Sequence, residues 1–128
     1  MRPTSSNTSY YVVIEHRNHL AVMSAVPISF ENGSFTYDFR YQNSYENGAG
    51  FGQKEIKQNI WAMYTGDGAQ INDVGGYDIS GEDKVLFSTE NGNFNGYLLS
   101  DFNLDGDVNG KDKILWSRNN GVFSLVPR

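Results

Sequence analysis

The amino-acid sequence predicts an α+β protein, with a β-rich first half and two loop–helix repeats in the second half. Aromatic residues make up 14% of the 128-residue chain, which favours β structure. The first half contains several short runs of β-forming residues. The second half contains two near-copies of a pattern with a polar start and an Asn-Gly end, as in a short helix. We therefore predict a β-rich lobe at residues 1–64 and a paired-repeat lobe at residues 65–128.

β-Forming residues and turn signals place the strands of the first half. Residues 10–17 are rich in β-formers and predict a largely buried strand. Residues 20–25 are apolar and form either a strand or a short loop. Residues 26–30 resemble an edge strand, because Pro27 cannot donate a hydrogen bond to a neighbouring strand.

A hairpin turn and a further strand are predicted next. Asn-Gly at residues 31–34 accepts the positive φ of a type I′ turn. Phe35, Tyr37 and Phe39 then alternate with polar residues, which is typical of a strand with one buried face. Residues 42–52 form a Gly-rich loop, and residues 53–64 end in a short strand.

The second half repeats itself, because residues 81–92 align with residues 110–121. Both copies read G-x-D-K-aliphatic-L-aromatic-S-x-x-N-G, with Asp at a helix start and Asn-Gly as a C-cap. Repeated units bury their apolar faces against each other. We expect two short helices whose apolar residues pack together, namely Val85, Leu86 and Phe87 against Ile114, Leu115 and Trp116.

Charge and composition exclude several classes of function. Residues 61–128 hold ten acidic and five basic residues, which accounts for the whole net charge of −5 and argues against a nucleic-acid partner. The absence of Cys removes disulfides and thiolate sites, so a metal ion is the natural stabilising group. No apolar run is long enough to span a membrane. The first residues lack an apolar signal-peptide stretch and indicate a truncation point.

Residues 101–112 have the composition and spacing of a calcium-binding loop. Ca²⁺ takes about six to eight oxygen ligands, and a loop of twelve residues supplies them from positions 1, 3, 5, 7, 9 and 12. Gly106 occupies position 6, where the chain turns sharply, and Val108 at position 8 can tie the loop to its neighbour through a short β contact. The predicted ligands are Asp101, Asn103, Asp105, Asp107, Asn109 and Asp112.

This loop and the helix after it resemble a dockerin repeat, which is a variant of the EF-hand. The EF-hand loop ends in Glu at position 12, whereas this loop ends in Asp112. Dockerin repeats use that shorter carboxylate, and a single helix follows the loop. The resemblance implies one calcium ion bound at residues 101–112.

A degenerate copy of the loop lies at residues 67–83. Asp-Ile-Ser at residues 78–80 matches Asp-Val-Asn at residues 107–109, but the segment before it is longer and lacks the D-x-N-x-D-G core. A longer loop can still turn its oxygens inward, so a second ion is predicted here. Its candidate ligands are Asp67, Asn72, Asp73, Asp78, Ser80 and Asp83.

Nearly the whole chain resembles a C-terminal module of large secreted surface proteins of Gram-negative bacteria. The resemblance rests on residues 11–24, 61–67 and 97–109. It implies a partial immunoglobulin-like or prealbumin-like β-sandwich followed by two dockerin-like repeats, with no established activity. It also implies a secreted or cell-surface location and leaves a cohesin-like protein as a possible docking partner.

The predicted function is non-catalytic calcium binding in protein interaction or surface anchoring. The alternative is binding of a polysaccharide by aromatic residues of the β-rich lobe, namely Tyr41, Tyr45, Phe51, Trp61 and Tyr64. A hydrolase is disfavoured, since neither a nucleophile motif nor a separate carboxylate pair is evident. His16 and His19 would face opposite sides of a strand, so we expect structural roles for them, such as hydrogen bonding to the metal-loop lobe.

Overall fold

The computed structural model describes residues 9–29, 33–40, 44–45, 52–73, 76–124 and 126–127. These residues form a small α+β protein with short antiparallel strands and two α-helices, as the sequence predicts. A short 3₁₀ helix spans Gln70–Asn72. The strands and helices are β1 Ser9–Tyr10, β2 Val13–His16, β3 His19–Met23, β4 Ile28–Ser29, β5 Lys54–Lys57, β6 Ile60–Ala62, β7 Tyr77–Asp78, α1 Gly81–Glu90, α2 Gly110–Asn119 and β8 Phe123–Ser124.

The strands pair as four antiparallel ribbons of two strands each. These ribbons join β1 to β4, β2 to β3, β5 to β6, and β7 to β8. Within the described residues they do not close into a sandwich. Among the described strands β4 pairs with β1 and with no other, which agrees with the edge character expected for residues 26–30.

The buried strand of the first half is β3, which corrects the burial expected for residues 10–17. That segment forms parts of β1 and β2, and Val13 and Ile14 in β2 remain about two-fifths exposed, at 41% and 39%. Leu20, Ala21 and Val22 in β3 are almost fully buried. The difference arises because β3 packs on β7 and β8, whereas β2 has β3 as its one partner among the described strands.

The alternating aromatic segment does not form the predicted strand. Residues 35–39 have no regular strand pairing, and Phe35 is 43% exposed. Tyr37 and Phe39 instead stack edge to face, with ring centroids 4.8 Å apart. Gly33 has a φ of 77°, as the predicted turn requires. The rest of that turn at residues 31–32, and most of the loop at residues 42–52, lie outside the described residues.

The core joins both halves of the chain. Leu20, Ala21 and Met23 from β3 cluster with Tyr77, Ile79 and Val126 from the second half. Buried Ser124 donates a hydrogen bond from Oγ to the carbonyl of Ala21 at 3.0 Å. The division into lobes at residue 64 stays a prediction, and the structure shows that the two sides share a core.

The two helices begin and end as the repeated pattern predicts. Each starts with a reciprocal capping box, formed by Ser80 and Asp83 in α1 and by Asn109 and Asp112 in α2. After each helix a glycine, Gly92 or Gly121, has a φ of 95°. None of the helices in the described ranges is long and apolar enough to cross a membrane.

The expected packing between the helices is wrong for two residues. Val85 is 68% exposed and Ile114 is 53% exposed. Of the other expected residues, Phe87 is buried, and Trp116 is half-buried and packs against the core cluster. The reason is that ten-residue helices of this shape turn only a narrow face toward the core, and consecutive apolar positions cannot all lie on it.

Candidate metal centre

Each acidic loop is hydrogen-bonded to the chain that follows the other loop's helix. Val108 donates to the carbonyl of Asn93, and its own carbonyl accepts from Gly92, both at 2.9 Å. In the first loop, Ile79 makes the matching pair of bonds to Gly121 and Val122, at 2.8 and 2.9 Å. The expected direct link from Val108 to the neighbouring loop is therefore wrong, because the repeats exchange their contacts reciprocally.

The last aspartate of each loop makes the same pair of contacts. Asp83 accepts hydrogen bonds from the amides of Ala69 at 2.8 Å and Ser80 at 2.7 Å. Asp112 accepts from the equivalent amides of Asn103 at 3.1 Å and Asn109 at 2.9 Å. Burial raises the pKa of both carboxyl groups above the usual range, although the backbone hydrogen bonds oppose this shift. The two loops therefore close around equivalent buried carboxylates.

In the second loop three carboxylates converge on a point that could hold a metal ion. One oxygen each from Asp101, Asp105 and Asp112 lies within 4.8 Å of the other two. Asp101 and Asp112 are buried, whereas Asp105 is exposed. Hydrogen bonds to Asp105, first from the amide of Asp107, hold its pKa below the usual range, which keeps it ionised. Oxygens with this separation can share a cation whose metal–oxygen distance is about 2.4 Å.

The remaining predicted ligands of this loop support its shape. Asn103 Oδ1 accepts from the amide of Asp105 at 3.2 Å. Asp107 Oδ1 accepts from the amide of Asn95 at 3.1 Å. Asn109 is the N-cap of α2, and its Oδ1 accepts from Lys111 at 3.0 Å. Ligand roles for Asn103, Asp107 and Asn109 stay predictions.

The first loop contains a carboxylate that the fold leaves unsatisfied. Asp67 is fully buried, and no donor in the described residues satisfies either of its oxygens, apart from a proton that it can share with Asp73. Burial, followed by the negative charges of Asp73 and Asp83, raises the pKa of Asp67 to about 9. Burying the ionised form of such a carboxylate is strongly unfavourable unless a positive charge lies beside it.

Three other candidate ligands of the first loop, Asp73, Asp78 and Asp83, place negative charge near Asp67. Burial raises the pKa of Asp73 to about 6, and its Oδ2 accepts from the amide of Asp78 at 3.4 Å. Asp78 contributes further negative charge near Asp67, and Ser80 is the N-cap of α1. The side chain of Asn72 lies outside what the structure describes.

The donor set of both loops fits a hard cation. Every candidate ligand offers oxygen, and neither imidazole nor thiolate belongs to either loop. A divalent ion at the first loop would supply the positive charge that buried Asp67 lacks. The same ion would oppose the repulsion among the surrounding carboxylates.

Comparison with protein-family models, curated proteins and solved structures finds no match to this chain. The assignment of the loops therefore rests on their own residues.

The expectation that His16 and His19 face opposite sides is wrong. They are paired across the hairpin of β2 and β3, and their Nδ1 atoms lie 3.1 Å apart. Two turn residues between them reverse the chain, which the strand argument ignored. Sequence reasoning did not single out Asn18, in that turn, which bonds to the backbone of both acidic loops. Its only sequence signal is an Asn at a hairpin turn.

Of the aromatic residues proposed for sugar binding, the three that the structure describes are partly buried. Tyr45 and Tyr64 pack against the core cluster, and Trp61 is half-buried. Tyr41 and Phe51 lie outside the described residues. Polysaccharide binding stays a prediction without a structural feature that favours it.

Proposed function

We propose that the protein is a non-catalytic, extracellular calcium-binding module that serves in protein interaction or surface anchoring of a larger secreted protein. The observation that carries this proposal is the convergence of Asp101, Asp105 and Asp112 within 4.8 Å in a loop with calcium-loop spacing. Capping boxes and hydrogen bonds hold this loop in place, with one oxygen from each of the three carboxylates close to the other two.

The choice of calcium rests on the ligands and on the proposed location. Carboxylate and carbonyl oxygens suit Ca²⁺, and flexible loops tolerate its irregular coordination better than the octahedral geometry of Mg²⁺. Extracellular modules work with dissociation constants of about 10⁻⁴ to 10⁻³ M. Sites of modest affinity would therefore be filled outside the cell.

The paired loops and helices support a dockerin-like arrangement in which two sites stabilise one lobe. We take the ribbons of the first half as part of an immunoglobulin-like or prealbumin-like sandwich. A cohesin-like protein is the partner class that such a lobe would dock. Calcium would act by ordering the docking surface, since ions that bind only the folded state stabilise it.

Equilibrium dialysis against Ca²⁺ and Mg²⁺ tests the proposal. We expect the wild-type protein to bind two Ca²⁺ ions and to prefer Ca²⁺ over Mg²⁺. Asp105→Asn should weaken one site about tenfold, because one charged ligand is lost. Asp38→Asn is the control, since Asp38 belongs to neither loop and is paired with Arg40 on the surface. Equal calcium binding by wild type and Asp105→Asn would contradict the assignment.

A further inference from the structure

Asn18 contacts the first position of both acidic loops. It is fully buried in the turn between β2 and β3. Its backbone carbonyl accepts hydrogen bonds from the amides of Gly66 at 3.0 Å and Asp67 at 3.1 Å. Its side-chain Nδ2 donates to the carbonyls of Leu99 at 2.9 Å and Asp101 at 2.8 Å. One residue of the first half therefore joins the entries of the two loops.

Neighbouring contacts fix the orientation of Asn18 and reinforce the junction. His19 Nδ1 lies 2.8 Å from Asn18 Oδ1, which directs Nδ2 toward the second loop. Thr65 donates from Oγ1 to the carbonyl of Phe102 at 2.8 Å. Asn119, at the end of α2, donates to the carbonyl of Thr65 at 2.9 Å. These bonds tie the residues beside Asp67 to those beside Asp101 through buried groups.

We propose that Asn18 couples calcium binding at the two loops, so that an ion at one loop raises the affinity of the other. This inference rests on the proposed calcium function. An ion bound by the Asp101 side chain orders the Asp101 backbone, whose carbonyl accepts the hydrogen bond from Asn18 Nδ2. The ordered Asn18 carbonyl then holds the amides of Gly66 and Asp67 in place. The second ion binds a junction that is already ordered, which produces positive coupling.

The coupling can be measured by NMR titration with Ca²⁺, with the Gly106 amide as reporter of the second loop. Asp67→Asn removes the buried carboxylate of the first loop but keeps the backbone amides that Asn18 binds. We expect the second loop to bind calcium at least about fivefold more weakly in Asp67→Asn than in wild type, within the usual range of coupling.

Asn18→Ser tests whether Asn18 transmits the effect. In that background, Asp67→Asn should change the affinity of the second loop less than about twofold, because the side-chain link to Asp101 is lost. Direct electrostatic effects of Asp67 persist in this background, so they cannot mimic the loss of coupling. Ser24→Ala is the control: it removes the hydrogen bond that the buried Ser24 hydroxyl donates to the carbonyl of Val26, within the first half of the chain, and should keep the full coupling.

The outcomes separate this inference from the function on which it rests. Two ions bound in wild type, with equal second-loop affinity in wild type and Asp67→Asn, would overturn the coupling and leave the calcium function standing. Absence of binding at both loops would overturn both. If Asn18→Ser does not fold, Asn18→Asp takes its place, because it keeps the shape of the side chain and removes the amide that donates to the carbonyls of Leu99 and Asp101. Full coupling in Asn18→Asp would then overturn the role of Asn18.

Discussion

Asp67 and Asp101 occupy the same position in the two loops but have opposite surroundings. Asp101 accepts hydrogen bonds from the amides of Asp105 at 3.1 Å and Gly106 at 2.8 Å. Asp67 is buried without such donors among the described residues, and its pKa is raised to about 9. Without an ion, the first carboxylate therefore opposes folding, whereas the second supports its loop.

We predict that Asp67→Asn raises the melting temperature of calcium-free protein at pH 7 and abolishes calcium binding at the first loop. The wild-type carboxyl group must take up a proton to fold at this pH, and Asn avoids that requirement. A gain of about 1 kcal/mol corresponds to roughly 3–6 °C for a domain of this size. Melting curves in EDTA, with and without the substitution, measure the effect.

Asp101→Asn is the matched comparison and should lower the calcium-free melting temperature. It weakens charge-assisted bonds to two amides, which costs about 1–3 kcal/mol. A lower melting temperature for Asp67→Asn than for wild type in EDTA would contradict this account.

The stabilising effect of Asp67→Asn should also depend on pH. Because the folded pKa of Asp67 is raised, its contribution to stability is lost as pH rises from about 4 through about 9, so the benefit of Asn should vanish near pH 4.

His19 should make the protein sensitive to acid. Burial, with the positive charges of His16 and Arg17, lowers the pKa of His19 to about 4. A lowered histidine pKa means that stability present above the unfolded value of about 6.5 is lost as pH falls toward 4. We expect the melting temperature of wild type, relative to His19→Gln, to fall between pH 7 and pH 4.5. A constant difference between the two proteins across this range would refute the prediction.

At the scale of elements, the sequence predicted the helices well because their signals are local. Polar residues at the start, a short apolar run and Asn-Gly at the end appear within twelve residues of each repeat. The structure confirms both helices, the Asp in the first turn of each and the positive φ of Gly92 and Gly121. The burial of Val85 and Ile114 could not be predicted from the repeat, because it depends on where other elements pack.

Gly106 should matter for its backbone conformation alone. Its φ is 92°, and a Cβ added there would meet no atom within 4 Å. We predict that Gly106→Ala lowers the free energy of unfolding by about 1 kcal/mol and weakens calcium binding at the second loop. Gly110→Ala is the control, since Gly110 has equal space and no positive φ. Equal effects of the two substitutions in urea unfolding would contradict the role assigned to the turn.

At the scale of the whole molecule, the sequence separated two halves that the structure packs around one core. β3 contacts β7 and β8, and Leu20 donates from its amide to the carbonyl of Tyr64 at 2.8 Å. Such contacts between distant residues leave no periodic signal in either segment. For the same reason the sequence did not reveal Asn18, whose side-chain amide donates to carbonyls more than 80 residues further along the chain. The second acidic loop, in contrast, could be predicted because all its candidate ligands fall within twelve consecutive residues.

A shared core predicts that calcium stabilises the first half as well as the loops. We expect Ca²⁺ to slow hydrogen exchange at the Leu20 amide, which lies in β3 and not in a metal loop. Core amides exchange their hydrogens when the whole protein unfolds. An ion bound at the loops stabilises the folded state, and so it slows exchange in the core as well. Protection confined to the loop amides would mean that the halves unfold independently.

The central claim is that both acidic loops bind calcium and that calcium stabilises the fold. The most direct measurement is calorimetric titration of chelator-stripped protein with Ca²⁺, beside melting curves in Ca²⁺ and in EDTA. We predict two binding sites and a rise of roughly 15–30 °C in melting temperature when Ca²⁺ is about 100 times the dissociation constant of each site. Absence of binding heat together with identical melting curves would contradict the account.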